Sequence, residues 1–581
     1  MSIKINFFLL VLINTMIVAA CKKNEPINNP ITTQTNRYNI STDKAVYVPG
    51  QTVTFKLKSL PAGAHVRYRY LNDVLGDETL SAATWTWKPP ATDYRGYVVE
   101  VYTKVDGQDK TQFIIAVDIS SNYSKFPRNG FLSAFGLKNS GEIGFVISDL
   151  NRYHINVVQF QDWHFKHHLP MAGTAAAPAM QWKDIANRDS YLATVKGFVD
   201  ASHGFNMKSI FYNLAFGALS DAASDGVPSQ WNLYKDASQV NRDFHPLGAP
   251  FKSNIYLLDP SNTGWQQFIA AKNNDVYATF GFDGYQVDQL GNRGQLYDAS
   301  GAPVNLEATY KPFLQAMKAA APTKSLVMNA VNQYGAQSIA ESPVDFLYTE
   351  VWSPNESFDQ LATIIRDNDA MAGGTKKTVL AAYMNYDLAN TPGYFNTPGV
   401  LLTNAVIFSF GGSHLELGEH MLGKEYFPNN NLQMKPELKS SMTAYYDFLT
   451  GYQNLLRDGG VFNSPVISCT NNKMTLNTWP PQIGQVSVVG KIFTNKQVLH
   501  FLNFTNAAHL NWRDTNGNQT LPATITNAVI NFTTTKTASR VWTTSPDENG
   551  IARPVTFLQA SNNLSFIIPS LKYWDMVVVE Y

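Results

Sequence analysis

A central (β/α)8 barrel flanked by two all-β domains, one before it and one after, is the fold the sequence predicts. Three observations predict it. Eight short apolar runs between residues 130 and 412 alternate with helix-like stretches, the pattern of a parallel sheet wrapped by helices. Period-two alternation fills residues 38–120 and returns beyond residue 463, where the helical pattern stops. A chain of 581 residues exceeds one ordinary domain.

Taken in order, residues 1–20 read as an export signal. Lys4 precedes an apolar run that closes on Val18-Ala19-Ala20-Cys21, small residues before a cysteine, which looks like a bacterial lipoprotein signal with Cys21 as the lipidated residue. The run is short for a membrane-spanning helix. Residues 21–37 are polar, contain two prolines after Cys21 and have no periodicity, as a tether would. The expected product is exported and lipid-anchored to a bacterial membrane, at the outer membrane or cell surface. Cys469 is the second of two cysteines, so acylation of Cys21 leaves no intrachain disulfide.

Residues 38–120 alternate, as in TVTFKLKS, and GYVVEVYTKV and TQFIIAVDIS flank DGQD, a hairpin signal; a small antiparallel sandwich is predicted. Residues 121–463 hold the barrel, with strands at GFLSAFG, INVVQFQDW, KSIFYNL, FDGYQVDQ, SLVMNA, DFLYTEVW, TVLAAYMNY and AVIFSFGG. SYLATVKGFVDASHG and GWQQFIAAKNNDVYATFG are amphipathic helix candidates between them. A doubly wound open sheet is the rival fold, and no glycine-rich phosphate loop follows the first strand to support it. Residues 464–581, with VLHFLNFT, AVINFTTTK, LSFIIPS and YWDMVVVEY, predict a second antiparallel sandwich.

Composition narrows the chemistry. Formal net charge is zero and 15% of residues are charged, which gives no electrostatic basis for a nucleic-acid partner. Aromatic residues make up 13%, a supply that serves large cores and equally serves stacking on an uncharged ligand. His164, His167 and His168, and more loosely His414, Glu416 and His420, cluster without a zinc spacing in its context, so no metal and no cofactor are expected. Neither Ser202-His203 nor GGS at 411–413 makes a nucleophile elbow.

Active sites of such barrels lie at the C-terminal strand ends, where this sequence places Asp162, Asn213, Asp288, Asn329, Glu350 and Asn385. Parity separates the two aspartates of FDGYQVDQ. Gly284, Gln286 and Asp288 share one face while Asp283, Tyr285 and Val287 share the other; Val287 suits the helix-packed outside, Asp288 the inner rim and Asp283 a pairing role at the floor, unless a bulge shifts the register. DFLYTEVW read the same way aligns Phe346, Tyr348 and Glu350. Asp288 and Glu350 are therefore the candidate catalytic pair, on strands four and six. Two carboxylates in an uncharged, aromatic-rich cleft suit glycosidic cleavage, in either the retaining geometry, ~5 Å, or the wider inverting one. Glu350 between Tyr348 and Trp352 suits the proton donor, because an apolar shell disfavours the charged form; Asp288, beside Gln289, suits the ionised nucleophile. Asp162, Trp163, His164, Lys166, Asn213, Gln286 and Trp352 are the candidates for holding sugar hydroxyls and stacking a ring. A surface lipoprotein that binds glycan without cutting it is the rival function, and the carboxylate pair opposes it.

GFDGYQVDQLGNRG, NAVNQYG (329–335) and YTEVW (348–352) together resemble glycoside hydrolase family 66, the dextranases and cycloisomaltooligosaccharide glucanotransferases. FQDWHFKHHLP, YNLAFGA, AAYMNY and GGSHLELGEHMLGKEYFP look like the same family, in order, over residues 120–460. The resemblance implies an immunoglobulin-like N-terminal domain, a barrel and a C-terminal β-domain. It also implies retaining cleavage of α-1,6-glucan (dextran) to isomaltooligosaccharides, with Asp288 as nucleophile and Glu350 as acid/base. The cyclising enzymes resemble dextranases with a carbohydrate-binding module inserted in the barrel. No segment here is free to be such a module, so an endo-acting, monomeric dextranase is expected in preference to a glucanotransferase.

Overall fold

The structure, a computed structural model, describes residues 38–581; the export signal, the tether and Cys21 lie outside the described residues. Among the described residues no helix is long and apolar enough to cross a membrane. Two antiparallel sheets come first. Ile40–Thr42, Val53–Leu57 and Thr84–Trp87 form one, and Asp73–Thr79, His65–Tyr70, Arg95–Val105 and Gln108–Ile119 the other, in those spatial orders. Val53, Phe55, Val66, Tyr68, Val99 and Val117 fill the space between them. The DGQD hairpin turns on Asp106 and Gly107, both at positive φ (51° and 76°), the two-residue turn whose twist matches the strands it joins.

Eight parallel strands follow, each succeeded by a helix. They are β1 (Asn129–Leu132), β2 (Val157–Phe160), β3 (Lys208–Leu214), β4 (Gly284–Asp288), β5 (Ser325–Met328), β6 (Leu347–Glu350), β7 (Thr378–Ala381) and β8 (Ser413–His414). The helices are α1 (Ser140–Arg152), α2 (Leu192–Gly204), α3 (Thr263–Phe280), α4 (Tyr310–Ala320), α5 (Ala336–Ala340), α6 (Phe358–Met371), α7 (Thr397–Ser409) and α8 (Pro436–Gly451). Strands β1 to β5 pair in sequence order, as do β6 to β8. Bridges between Asn329 and Tyr348 and between Phe131 and Gly418 join the two runs, so the path of pairing returns to its start. Local chemistry sets the helix ends: Asn139 and Glu142 cap α1 reciprocally, and α3 runs from an Asn262 cap to Gly281 at φ 80°.

The eighth strand departs from expectation. AVIFSFGG is mostly the second half of α7, and the strand is the two residues Ser413–His414. Every α7 residue from Gly399 to Ser409 is buried, because the helix packs against α6, α8 and the C-terminal strand Lys496–Asn503. A helix enclosed on all sides carries no polar stripe, and its apolar run reads like a strand.

Beyond Val461 the chain forms a seven-stranded sheet around Val486–Phe493, Lys496–Asn503 and Trp574–Glu580, facing a four-stranded sheet built on Ile525–Thr533 and Asn563–Leu571. Val488, Phe501, Ile530, Phe566 and Val577 fill the layer between.

Candidate active site

A cleft of about 520 Å³ opens where the parallel strands end, lined among others by Gln159, Asp162, Tyr212, Gln286, Asp288, Asn329, Glu350, Trp352 and Tyr383. Asp288 is the last residue of β4 and Glu350 the last of β6. Gln286 lies on the cleft side of β4, whereas Tyr285 packs outward on Phe211 with ring centroids 5.0 Å apart, so the alternation places Asp288 inward. Asp283 sits before the strand at the opposite end. There it accepts from His203 Nε2 (2.8 Å), Lys208 Nζ (3.0 Å) and the Ser209 amide (2.9 Å), partners that hold its carboxyl below the usual aspartate range despite burial.

One side chain joins Asp288 and Glu350. Asn329, immediately after β5, donates from Nδ2 to Asp288 Oδ1 (2.8 Å) and to Glu350 Oε2 (3.1 Å), while its Oδ1 accepts the Glu350 amide (3.1 Å). Both oxygens lie within hydrogen-bond reach of that one nitrogen, so they stand no more than about 6 Å apart. The outer oxygens are held separately, Asp288 Oδ2 by the Tyr212 hydroxyl (2.9 Å) and Glu350 Oε1 by the Tyr383 hydroxyl (2.6 Å).

Electrostatics then divides the pair. Enclosure raises both carboxyls, and the Asp288 charge raises Glu350 further, to about 7. Asp288 accepts from Asn329, the Gln289 amide and Tyr212, all of which favour its charged form. Near neutral pH Glu350 is thus poised between its protonated and charged forms, while the hydrogen bonds to Asp288 favour that group's charged form. Tyr212, Tyr348 and Tyr383 are pushed up by burial and by these carboxylates, and so remain neutral donors.

Of the residues expected to hold sugar, Asp162, Gln286 and Trp352 line the cleft. Asp162 adopts φ 52° and burial pushes it up to about 6. The other four require correction. Trp163 is fully buried between Trp182, Phe280 and Phe282, with no face left for a ligand. His164 is enclosed and bonded to His167 (2.9 Å), and it is His167 that reaches the cleft. Lys166 is bound by Asp221 and Asp225, both at 2.6 Å, and these with His168 are a cluster an ion could enter, already occupied by the ammonium group. Asn213 points away from the cleft and donates to the His167 carbonyl (2.8 Å). Parity could have found this: Tyr212 pairs in register with inward Gln286, and Asn213 with outward Val287. Tyr212 and Tyr383, which hold the carboxylates, and Gln159 and His167 of the cleft wall were the residues missed.

A sequence model of glycosyl hydrolase family 66 matches residues 42–578. The chain belongs to glycosyl hydrolase family 66. Within that family it is 26% identical to a cycloisomaltooligosaccharide glucanotransferase of Niallia circulans, over 93% of this chain and 72% of the relative. It is 22% identical to a dextranase of Streptococcus salivarius, over 84% of this chain and 68% of the relative. Among solved structures, a Paenibacillus sp. cycloisomaltooligosaccharide glucanotransferase complexed with cycloisomaltoheptaose superposes with TM-score 0.83 at 25% identity, over 93% of this chain and 99% of that one. The family makes the chain a glycosidase-type enzyme, and Asp288 and Glu350 are the two cleft carboxylates that Asn329 joins.

Proposed function

We propose that the chain is an endo-acting, retaining glycoside hydrolase that cleaves α-1,6 linkages of dextran to isomaltooligosaccharides, on a (β/α)8 barrel flanked by an immunoglobulin-like and a C-terminal β-sandwich. The observation that carries the reading is the Asn329 amide shared between Asp288 and Glu350, which keeps the bonded oxygens within about 6 Å of each other, closer than the ~6.5–9.5 Å of an inverting pair. Glu350, protonated below about pH 7, gives its proton to the leaving glycosidic oxygen as ionised Asp288 attacks the anomeric carbon. In the second step Glu350, now a base, takes a proton from water, which displaces Asp288. The names of the relatives support dextran as substrate.

Cyclisation is the second reading, favoured by the higher identity to the glucanotransferases. Against it, that alignment runs over 704 positions although the whole chain has 581 residues, so the relative carries at least 123 residues inside the match that this chain lacks. Chromatography of dextran digests decides. Linear oligosaccharides with new reducing ends support hydrolysis, cyclic products support transfer, and intact dextran bound tightly would support a glycan-binding protein without catalysis. Export with a lipid anchor at Cys21 and a monomeric state belong to the same reading, and the anchor rests on the sequence of residues 1–21.

A further inference from the structure

The C-terminal sandwich sends residues 504–524, the connection between its strands Lys496–Asn503 and Ile525–Thr533, onto the rim of the barrel. A connection of this length in a compact domain usually has a task. Here it is firmly seated: the Trp512 indole donates to the Asn355 carbonyl (2.7 Å), the Asn385 amide donates to the Arg513 carbonyl (2.8 Å), and Asn385 Nδ2 donates to the Asp514 carbonyl (2.7 Å). Trp512 is fully buried and Arg513 nearly so. The guanidinium of Arg513 is aimed at main chain: Nη2 donates to the carbonyl of Val351 (2.9 Å) and Nη1 to that of Tyr383 (3.2 Å). Val351 directly follows Glu350, and Tyr383 is the residue whose hydroxyl holds Glu350 Oε1. The same guanidinium lies 5.1 Å from the ring centroid of Trp352 and 5.5 Å from that of Tyr386.

We propose that the C-terminal domain completes the active site: Arg513 is a positioning residue that locks the ends of β6 and β7 together, fixing Glu350 for proton transfer and Trp352 as the wall of the cleft. This rests on the assignment of Glu350 as the acid. A planar, two-armed cation suits the task, since it bridges two carbonyls in a fixed fork and stacks on aromatic faces, which an ammonium does not reproduce. Its effect is geometric, and small misplacement of an acid group costs catalysis steeply.

The test uses the full chain with Arg513→Met and Arg513→Lys. Rates are measured on dextran and on α-isomaltosyl fluoride, whose fluoride leaves without acid assistance. Both variants are expected to lose about 10- to 100-fold in kcat on dextran. Their pre-steady-state fluoride burst should stay within a few-fold of the parent, and in a third variant, Arg513→Ala, millimolar methylguanidinium should restore part of the lost dextran activity. Parent-like dextran kcat in Arg513→Lys, which keeps the charge and the fold, would overturn the proposal, as would equal losses on both substrates. Glu350→Gln measured beside them separates the two ideas: full dextran activity in that variant removes the acid assignment itself, whereas an inactive Glu350→Gln with a fully active Arg513→Met removes only the brace.

Discussion

Replacing Asn329 by alanine probes the junction on which both carboxylates depend. The variant deletes the donors to Asp288 Oδ1 and Glu350 Oε2 and strands the Glu350 amide. Hydrogen bonds to charged groups contribute roughly 1.5–3 kcal/mol each, and about 2–3 kcal/mol of that should appear in the transition state, so kcat/KM should fall about 30- to 150-fold. The sign of the pH effect follows from the same contacts. Asn329 holds the Glu350 carboxyl down, against burial and the Asp288 charge that push it to about 7. Without the amide, Glu350 keeps its proton to higher pH. The alkaline limb of kcat/KM, where activity is lost as the acid ionises, should move upward by about one pH unit, equivalent to ~1.4 kcal/mol. Stopped assays of reducing-end release across pH 4–9 read both quantities. An alkaline limb that stays in place or moves down, or a parent-like rate, would refute the shared-amide reasoning.

Three further outcomes are expected. Glu350→Gln should lose about 10³-fold on dextran yet retain the fluoride burst on α-isomaltosyl fluoride, with the glycosyl-enzyme accumulating because its breakdown needs Glu350 as base. Asp288→Asn should lose at least about 10³-fold on both substrates, and differential scanning calorimetry should show a melting temperature equal to the parent or above it, since an enclosed charge has been removed. Asp283→Asn should cost about 1–2 kcal/mol of stability at pH 7 with kcat unchanged. Because Asp283 is held below its unfolded value, the stability it supplies is present above about pH 4 and lost as pH falls through the lower folded value, so the difference in melting between parent and variant should shrink as pH falls below about 4.

Regular alternation made the Asp288–Glu350 pair legible. Asp288 and Glu350 close strands whose inner and outer faces differ in polarity, and Asp283 lies on the other parity at the other end. Where the strand geometry stops, so does that reading: β2 ends at Phe160, and Asp162 turns to φ 52°, which sends Trp163 into the core instead of toward a sugar. Asn213 was misplaced because its polarity outweighed its register, although pairing with Val287 shows it faces the helices. Asn329 was legible as a strand-end residue though not as the link between two carboxylates, and Arg513, from another domain, carries no local pattern, so only assembly of the chain brings it to the cleft. The eighth strand was hidden by α7, whose complete enclosure removes helical periodicity.

Proton NMR of the first oligosaccharides released from dextran tests the proposed retaining mechanism most directly, because two displacements at the anomeric carbon conserve its configuration and one inverts it. The new reducing ends should form as the α-anomer and drift toward equilibrium with the β-anomer. Initial release as the β-anomer would mean a single displacement, and Asp288 could not then be the nucleophile.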